Sequence, residues 1–260
     1  MKPDIKNYDS FIFDLDGTIY RGNNIIPGAD KAINTLKDLG KKIVFISNKT
    51  TGRLIDYYNF LIQQGLNIEP DELVNSTVVL SKYLSKHHSG EKFFAIGERV
   101  FIDEISEAGM IYSEMPDEID ILLVTLDRTL NYDKLEIAAR ALEKGARFFA
   151  ANIDDTCPVD NGEVLDAGAT ISALEKRTHR KLEKNFGKPS AYMMNEVKKR
   201  IGDNLSRTLL IGDRLETDIS MGNTFGIDTV LVLSGVKNFP NGNENIKPMF
   251  VIDSVFELVK

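Results

Sequence analysis

The stretch Asp14-Leu15-Asp16-Gly17-Thr18 closes an apolar run and carries two carboxyl groups two residues apart. In an extended chain residues i and i+2 point the same way, so Asp14 and Asp16 bring both groups near one point. Close carboxylates repel, and the pair becomes favourable when a cation sits between them or one takes a proton. Gly17 lets the chain turn at once. Asp and Gly are also ordinary turn residues, so the pattern alone leaves a plain turn open.

Three other places carry related chemistry. The run Lys42 to Ile46 ends in Ser47-Asn48-Lys49-Thr50-Thr51-Gly52, just ahead of a helix pattern from Arg53. A hydroxyl, an amide and backbone N–H groups there suit an anion, and Ser or Asn there also serves as a simple helix cap. The run Thr208 to Ile211 ends in Gly212-Asp213-Arg214-Leu215-Glu216-Thr217-Asp218. A near twin, Gly202-Asp203, follows the helix pattern Tyr192 to Ile201, so Gly202 reads as a helix terminator and Asp203 as a loop acid. Asp213 is therefore the candidate. In Gly187-Lys188-Pro189-Ser190, Pro189 suits the first turn of a helix and places Lys188 just before its start. A lone lysine is ordinarily solvated, and only its company gives it meaning. Together these groups describe a divalent cation site beside a phosphate site, the donors of phosphoryl transfer, with oxygen ligands that suit Mg²⁺.

Short apolar runs must position these groups. Strands are expected at Ser10–Leu15, Lys42–Ser47, Lys92–Ile96, Ile119–Val124, Arg147–Ala151, Thr208–Ile211 and Thr229–Leu233. Helix patterns lie between them, such as Ala29, Ala32, Ile33, Leu36 and Leu39 ending at Gly40, and Leu135 to Leu142 followed by Gly145. Strand, helix and strand in repetition predict an α/β fold with a mostly parallel sheet and helices on its faces. Open sheets of this kind bind ligands at the carboxyl ends of their strands, where the two acid motifs stand.

Composition narrows the class. The chain has 260 residues, 42% hydrophobic and 27% charged, values of a globular protein of one or two domains. Charge interrupts every apolar run well before the roughly 18 residues that a membrane span needs. The polar start, Met1 to Asp9, lacks a signal-like apolar segment, and the single cysteine, Cys157, forms no internal disulfide. A cytoplasmic protein is expected. A net charge of −7 argues against nucleic acid, whose binders ordinarily carry a basic surplus. No Gly-x-Gly-x-x-Gly follows a strand, which argues against dinucleotides.

The motifs resemble the haloacid dehalogenase superfamily of phosphatases, specifically its NagD-like subclass IIA. Asp14-Leu15-Asp16-Gly17-Thr18, Ser47-Asn48, Gly187-Lys188-Pro189 and Gly212-Asp213-Arg214-Leu215-Glu216-Thr217-Asp218-Ile219 are similar to the four family motifs and follow their order. The segment from Gly212 to Val236 is similar to the subclass's closing stretch. The resemblance implies a Rossmann-like, doubly wound core, residues 1–80 and 185–260, interrupted by a smaller α/β cap at residues 81–184. It implies Asp14 as nucleophile and Asp16 as general acid and base. It also implies Mg²⁺ held by Asp14, Asp213 and the Asp16 carbonyl. Ser47, Asn48 and Lys188 would bind the phosphoryl group, while Asp218 would orient a metal-bound water or Lys188. In the cap, Asn152-Ile153-Asp154 is similar to the subclass's specificity loop, with Ile153 where proline is frequent, so Asn152 and Asp154 become specificity candidates. A small phosphate monoester is the implied partner, and a homodimer through the cap is left open.

A phosphotransferase or mutase would use the same aspartyl-phosphate, and a receiver-like domain would use a stable phospho-Asp as a switch. Asp16 argues against the switch, which needs no acid/base, as does a chain about twice a receiver's length. Cys157 reads as a small buried thiol. His87, His88 and His179 fall at helix-like surface positions without zinc spacing. Residues 81–184 hold 14 Lys+Arg and 20 Asp+Glu, a net of −6, which leaves −1 for the remainder. Such an acidic cap is expected to disfavour polyanionic substrates and to favour small monophosphates with neutral or cationic leaving groups, through long-range repulsion that salt weakens.

Overall fold

Strand β1 (Ser10–Asp14) alternates its side chains across a sheet, with Phe11 and Phe13 in one apolar layer and Ile12 in another. The computed structural model describes residues 2–159, 162–236 and 245–260. From β1 the chain passes an antiparallel pair, β2 (Tyr20–Arg21) and β3 (Asn24–Ile25). It continues through α1 (Ala29–Asp38), β4 (Lys42–Ser47), α2 (Leu54–Gln63) and β5 (Leu73–Asn75). Helix α3 (Ser76–His87) carries it to a second sheet, so the change of sheet falls within a helix. That sheet's elements are β6 (Lys92–Ile96), α4 (Arg99–Glu107), β7 (Ile111–Tyr112), β8 (Ile121–Val124), α5 (Tyr132–Glu143) and β9 (Arg147–Ala150). A second antiparallel pair, β10 (Thr156–Val159) and β11 (Gly162–Leu165), precedes α6 (Ala167–Thr178) and β12 (Lys184–Asn185). The last elements are α7 (Ala191–Ile201), β13 (Thr208–Gly212), the short α8 (Ser220–Phe225), β14 (Asp228–Val232) and β15 (Phe250–Ile252).

The first sheet is six-stranded and parallel in the order β15-β14-β13-β1-β4-β5. The chain leaves β1 outward through β4 and β5, then returns to its other side through β13, β14 and β15. This is a doubly wound α/β sheet whose winding reverses at β1, the place such sheets bind ligands. The second sheet is five-stranded, parallel, and ordered β12-β9-β8-β6-β7. One apolar layer of the first sheet, with Ile12, Val44 and Leu210, runs on without a break into Phe93, Leu123 and Phe149 of the second. The opposite layers, around Phe11 and Ile33 and around Phe94 and Phe148, close the two outer faces.

All seven expected strands are present, each within two residues of its expected ends. The short edge strands β5 and β15, three residues each, carry too few positions to show a period. Helix α7 starts at Ala191 with Ser190 as its cap, accepting the Met193 N–H, so Pro189 lies before the helix rather than in its first turn. Gly202, at φ +98°, ends α7 and Asp203 is exposed. His88 differs from the surface expectation: its ring packs on Tyr83 and Phe149 and meets the Arg147 guanidinium at 2.7 Å. Among the described residues, no helix is long and apolar enough to cross a membrane.

Glu196 on α7 is nearly buried and joins the two sheets' connecting helices, accepting from Lys82 of α3 at 2.7 Å and pairing with Lys199 and Arg200. Burial works against its charge, but the lysines outweigh it and hold the carboxyl down to about 2. A carboxyl depressed in the folded state adds stability above its unfolded value, near 4.5, and loses it as pH falls toward 2. Glu196→Gln is therefore expected to destabilise by about 1–2 kcal/mol at neutral pH. Denaturant melts against pH would show that gap closing between about pH 4.5 and 2.

Candidate active site

Three strand ends converge. Asp14 is the last residue of β1, Ser47 the last of β4, and Asp213 follows the last residue of β13, all three with buried side chains. After Asp213 the chain makes a π turn, Leu215–Ile219, that carries Asp218 back to the strand ends. Single oxygens of Asp14, Asp213 and Asp218 lie within 4.8 Å of one another. Gly17, at φ +87°, makes this closeness sterically feasible, because a Cβ there would lie 2.3 Å from Asp213 Oδ2.

Lys188 reaches this cluster from the segment between β12 and α7. Its Nζ donates to Asp14 Oδ1 at 2.5 Å and to Asp218 Oδ1 at 2.7 Å, and the residue is 3% exposed. Burial disfavours the ammonium, yet Asp14 and Asp218 overcompensate and raise its pKa, so Lys188 is a fixed cation. Burial pushes Asp14 well above the carboxylate range, with Lys188 pulling down and Asp218 and Asp213 pushing up. Asp213 is raised too, first by burial and then by Asp218. Three buried carboxyls beside one buried ammonium thus resist full ionisation, and a divalent cation would balance the negative charge of the ionised set.

The donors differ in how far they are committed. Asp14 Oδ2 is buried without a hydrogen-bond partner. Asp213 Oδ2 accepts the Val236 N–H at 2.8 Å. Both oxygens of Asp218 are engaged, Oδ1 by Lys188 and Oδ2 by the Arg214 N–H at 3.1 Å. An all-oxygen set with one orphaned buried carboxylate oxygen fits a hard divalent cation such as Mg²⁺.

Asp16 lies at the rim. Tyr20 donates to its Oδ2 and Lys49 to its Oδ1, each at 2.9 Å. Ser47 Oγ accepts the Lys49 N–H at 3.1 Å. Asn48 is used at both ends of its amide: Oδ1 accepts the Lys188 N–H and Nδ2 donates to Asp154, each at 2.7 Å. Asp154 faces the same cleft, with Arg214 Nε at 3.7 Å. Asn152 does not line the cleft. It is 1% exposed and braces the loop, donating to Asp154 and Asp166 and accepting from Thr125.

The cleft is narrow, with about 50 Å³ of free space. Asp14, Asp16, Lys188 and Asp213 form its floor, with Leu126, Thr156, Cys157 and Pro158 toward the second sheet. Cys157 is half-buried in this wall, and burial pushes its thiol up to about 12, so it is no nucleophile near neutral pH. Lys49, Tyr20 and Arg214 belong to the site although sequence reasoning gave them no role. Only the position of Lys49 and Arg214 beside Asn48 and Asp213 hinted at them.

The chain is similar to known proteins along nearly its whole length. Family models described as haloacid dehalogenase-like hydrolase and HAD-hydrolase-like match residues 11–111 and 185–258. The sugar-phosphatase AraL of Bacillus subtilis is 36% identical over 250 residues, 96% of this chain and 91% of that protein. A p-nitrophenyl phosphatase structure from Archaeoglobus fulgidus superposes with a TM-score of 0.87 at 31% identity, covering 98% of each chain. A glycerol phosphate phosphatase structure from Mycobacterium tuberculosis, in complex with magnesium, gives 0.84 at 25% identity, covering 99% of this chain and 78% of that one. The chain belongs to the haloacid dehalogenase-like hydrolases, in their NagD-like group, and is a hydrolase of the phosphatase class.

Proposed function

We propose that this protein is a Mg²⁺-dependent phosphatase that hydrolyses small phosphate monoesters through an aspartyl-phosphate on Asp14. The observation that carries the reading is Asp14 itself, buried at the winding reversal with one oxygen on Lys188 and the other without a partner. Asp14 attacks phosphorus, and the bond to the ester oxygen breaks as Asp16 gives that oxygen a proton. Asp16 then takes a proton from water, which attacks the phosphorus and releases Asp14 and inorganic phosphate. Lys188 offsets the charge that would otherwise repel the attacking carboxylate.

Ser47 donates its hydroxyl proton to a phosphoryl oxygen. The Asn48 side chain is committed to Lys188 and Asp154, so its contribution to phosphate binding falls to its backbone N–H, while the amide ties the phosphate site to Asp154. Asp14, Asp213 and the Asp16 carbonyl would hold the Mg²⁺, with Asp218 fixing Lys188. When bound, the ion would supply positive charge against the phosphoryl oxygens. Residues 81–184 act as the cap, and Asp154 and its brace Asn152 shape the leaving-group side.

Phosphate release from p-nitrophenyl phosphate tests this reading. Chelation is expected to abolish release and added Mg²⁺ to restore it. Steady release without any phosphoryl acceptor marks a hydrolase, whereas dependence on an added acceptor would mark a transferase.

A further inference from the structure

Lys49 holds a place that the chemistry above does not use. Its Nζ lies 2.9 Å from Asp16 Oδ1, 5.3 Å from the centre of the Tyr20 ring and 5.8 Å from that of Tyr57. The side chain is 25% exposed and lines the catalytic cleft. It is also the wall between that cleft and an adjoining depression lined by Asn23, Tyr57, Phe60 and Arg128. Two aromatic faces hold the ammonium in place independently of Asp16, a favourable setting for a cation.

The inference rests on the phosphatase reading. If Asp16 protonates the leaving oxygen, that oxygen lies against the Asp16 carboxylate. The carbon attached to it then lies one hydrogen bond and one C–O bond beyond the Asp16 carboxylate, which Lys49 holds at Oδ1. The other Asp16 oxygen is held by the neutral Tyr20 hydroxyl, so Lys49 is the cation at the Asp16 carboxylate, whereas Arg214 stands across the cleft beside Asp154. Arg128, the next cation along the depression, is already paired with Glu98. We propose that Lys49 selects the leaving group, favouring monoesters that carry a carboxylate one or two carbons from the ester oxygen. The net charge of −6 over residues 81–184 opposes anions at long range. Salt screens that effect beyond about 8 Å, whereas a contact pair survives.

The test uses two competitors of p-nitrophenyl phosphate turnover with Mg²⁺ present. One is O-phospho-3-hydroxypropanoate, and the other is 3-hydroxypropyl phosphate, the same three-carbon skeleton with a neutral hydroxymethyl group in place of the carboxylate. The native protein is expected to bind the carboxylate compound about ten- to a hundredfold more tightly, as one charge-assisted contact would give. Lys49→Met is expected to erase that preference and Lys49→Arg to keep it. An equal loss for both compounds in Lys49→Met would overturn the inference, because it would show that Lys49 only positions Asp16. So would no preference in the native protein, or complete loss of turnover in both Lys49→Met and Lys49→Gln. A native protein that releases no phosphate from p-nitrophenyl phosphate would instead contradict the phosphatase reading.

Discussion

Asp14→Asn lowers kcat for p-nitrophenyl phosphate by about 10⁴-fold or more, the expected scale for losing a covalent nucleophile. The amide matches the carboxylate in shape, so the loss is chemical and not steric. An Asn nitrogen in place of one oxygen cannot attack phosphorus and cannot serve as an anionic ligand. Lys188 loses one of its two carboxylate partners but keeps Asp218 at 2.7 Å. The fold is expected to survive, because the buried neutral amide relieves part of the crowding between Asp14, Asp213 and Asp218. Steady-state kinetics beside a thermal melt separate the two effects. Wild-type turnover in a folded Asp14→Asn protein would remove Asp14 from the mechanism.

Lys188→Met is the change with the largest expected effect on stability. It deletes the ammonium that two buried carboxylates face and leaves the cluster with no fixed cation on that side. Breaking a buried ion pair by removing one partner typically costs about 3–5 kcal/mol, and part of that is recoverable when the carboxylates take up protons. Because Asp14 and Asp213 are already raised, removing Lys188 pushes them further in the same direction. Stability of the variant should therefore fall as pH rises, since deprotonation then charges a cluster that lacks its counterion. Added Mg²⁺ is expected to return part of the loss while kcat stays lower by about 10²–10⁴-fold. Denaturant titrations with and without Mg²⁺ measure this. A variant as stable as the native protein, with unchanged pH dependence, would show that Lys188 is not the cluster's counterion.

The sheet was legible because its strands are buried on both faces. Runs such as Phe11 to Phe13 and Ile43 to Ile46 are continuous in apolar residues, and an acid or hydroxyl marks where each run leaves the core. The antiparallel pair β10 and β11 was not legible, since its residues are half-buried or exposed and Pro158 sits within it. The same division holds in the cleft. Asp14, Ser47, Asp213 and Lys188 could be chosen from their place at strand ends or before a helix, which is local information. The commitment of Asn48 could not, because its partners Asp154 and Lys188 lie 106 and 140 residues away. Lys49 was hidden for a related reason. Its role depends on Asp16 and on the Tyr20 and Tyr57 rings, and no spacing along the chain announces that meeting.

Asn152 shows how a motif position can act indirectly. It stands in the loop that faces the cleft, yet its amide is spent on Asp154, Asp166 and Thr125, and Thr125 in turn meets Thr50 at 2.6 Å. The chain from Thr50 to Asp154 thus links the end of β4 to the second sheet by buried hydrogen bonds, which are costly to leave unmade. Asp154 at the cleft is thus held in part by a group, Asn152, that does not line it.

The covalent step is the centre of this account, and acid quenching of a single turnover tests it most directly. With a substrate labelled in its phosphoryl group, label is expected on the protein before inorganic phosphate appears, and peptide mapping should place it on the segment containing Asp14. Inorganic phosphate formed with no protein-bound label, or label on a different segment, would contradict it.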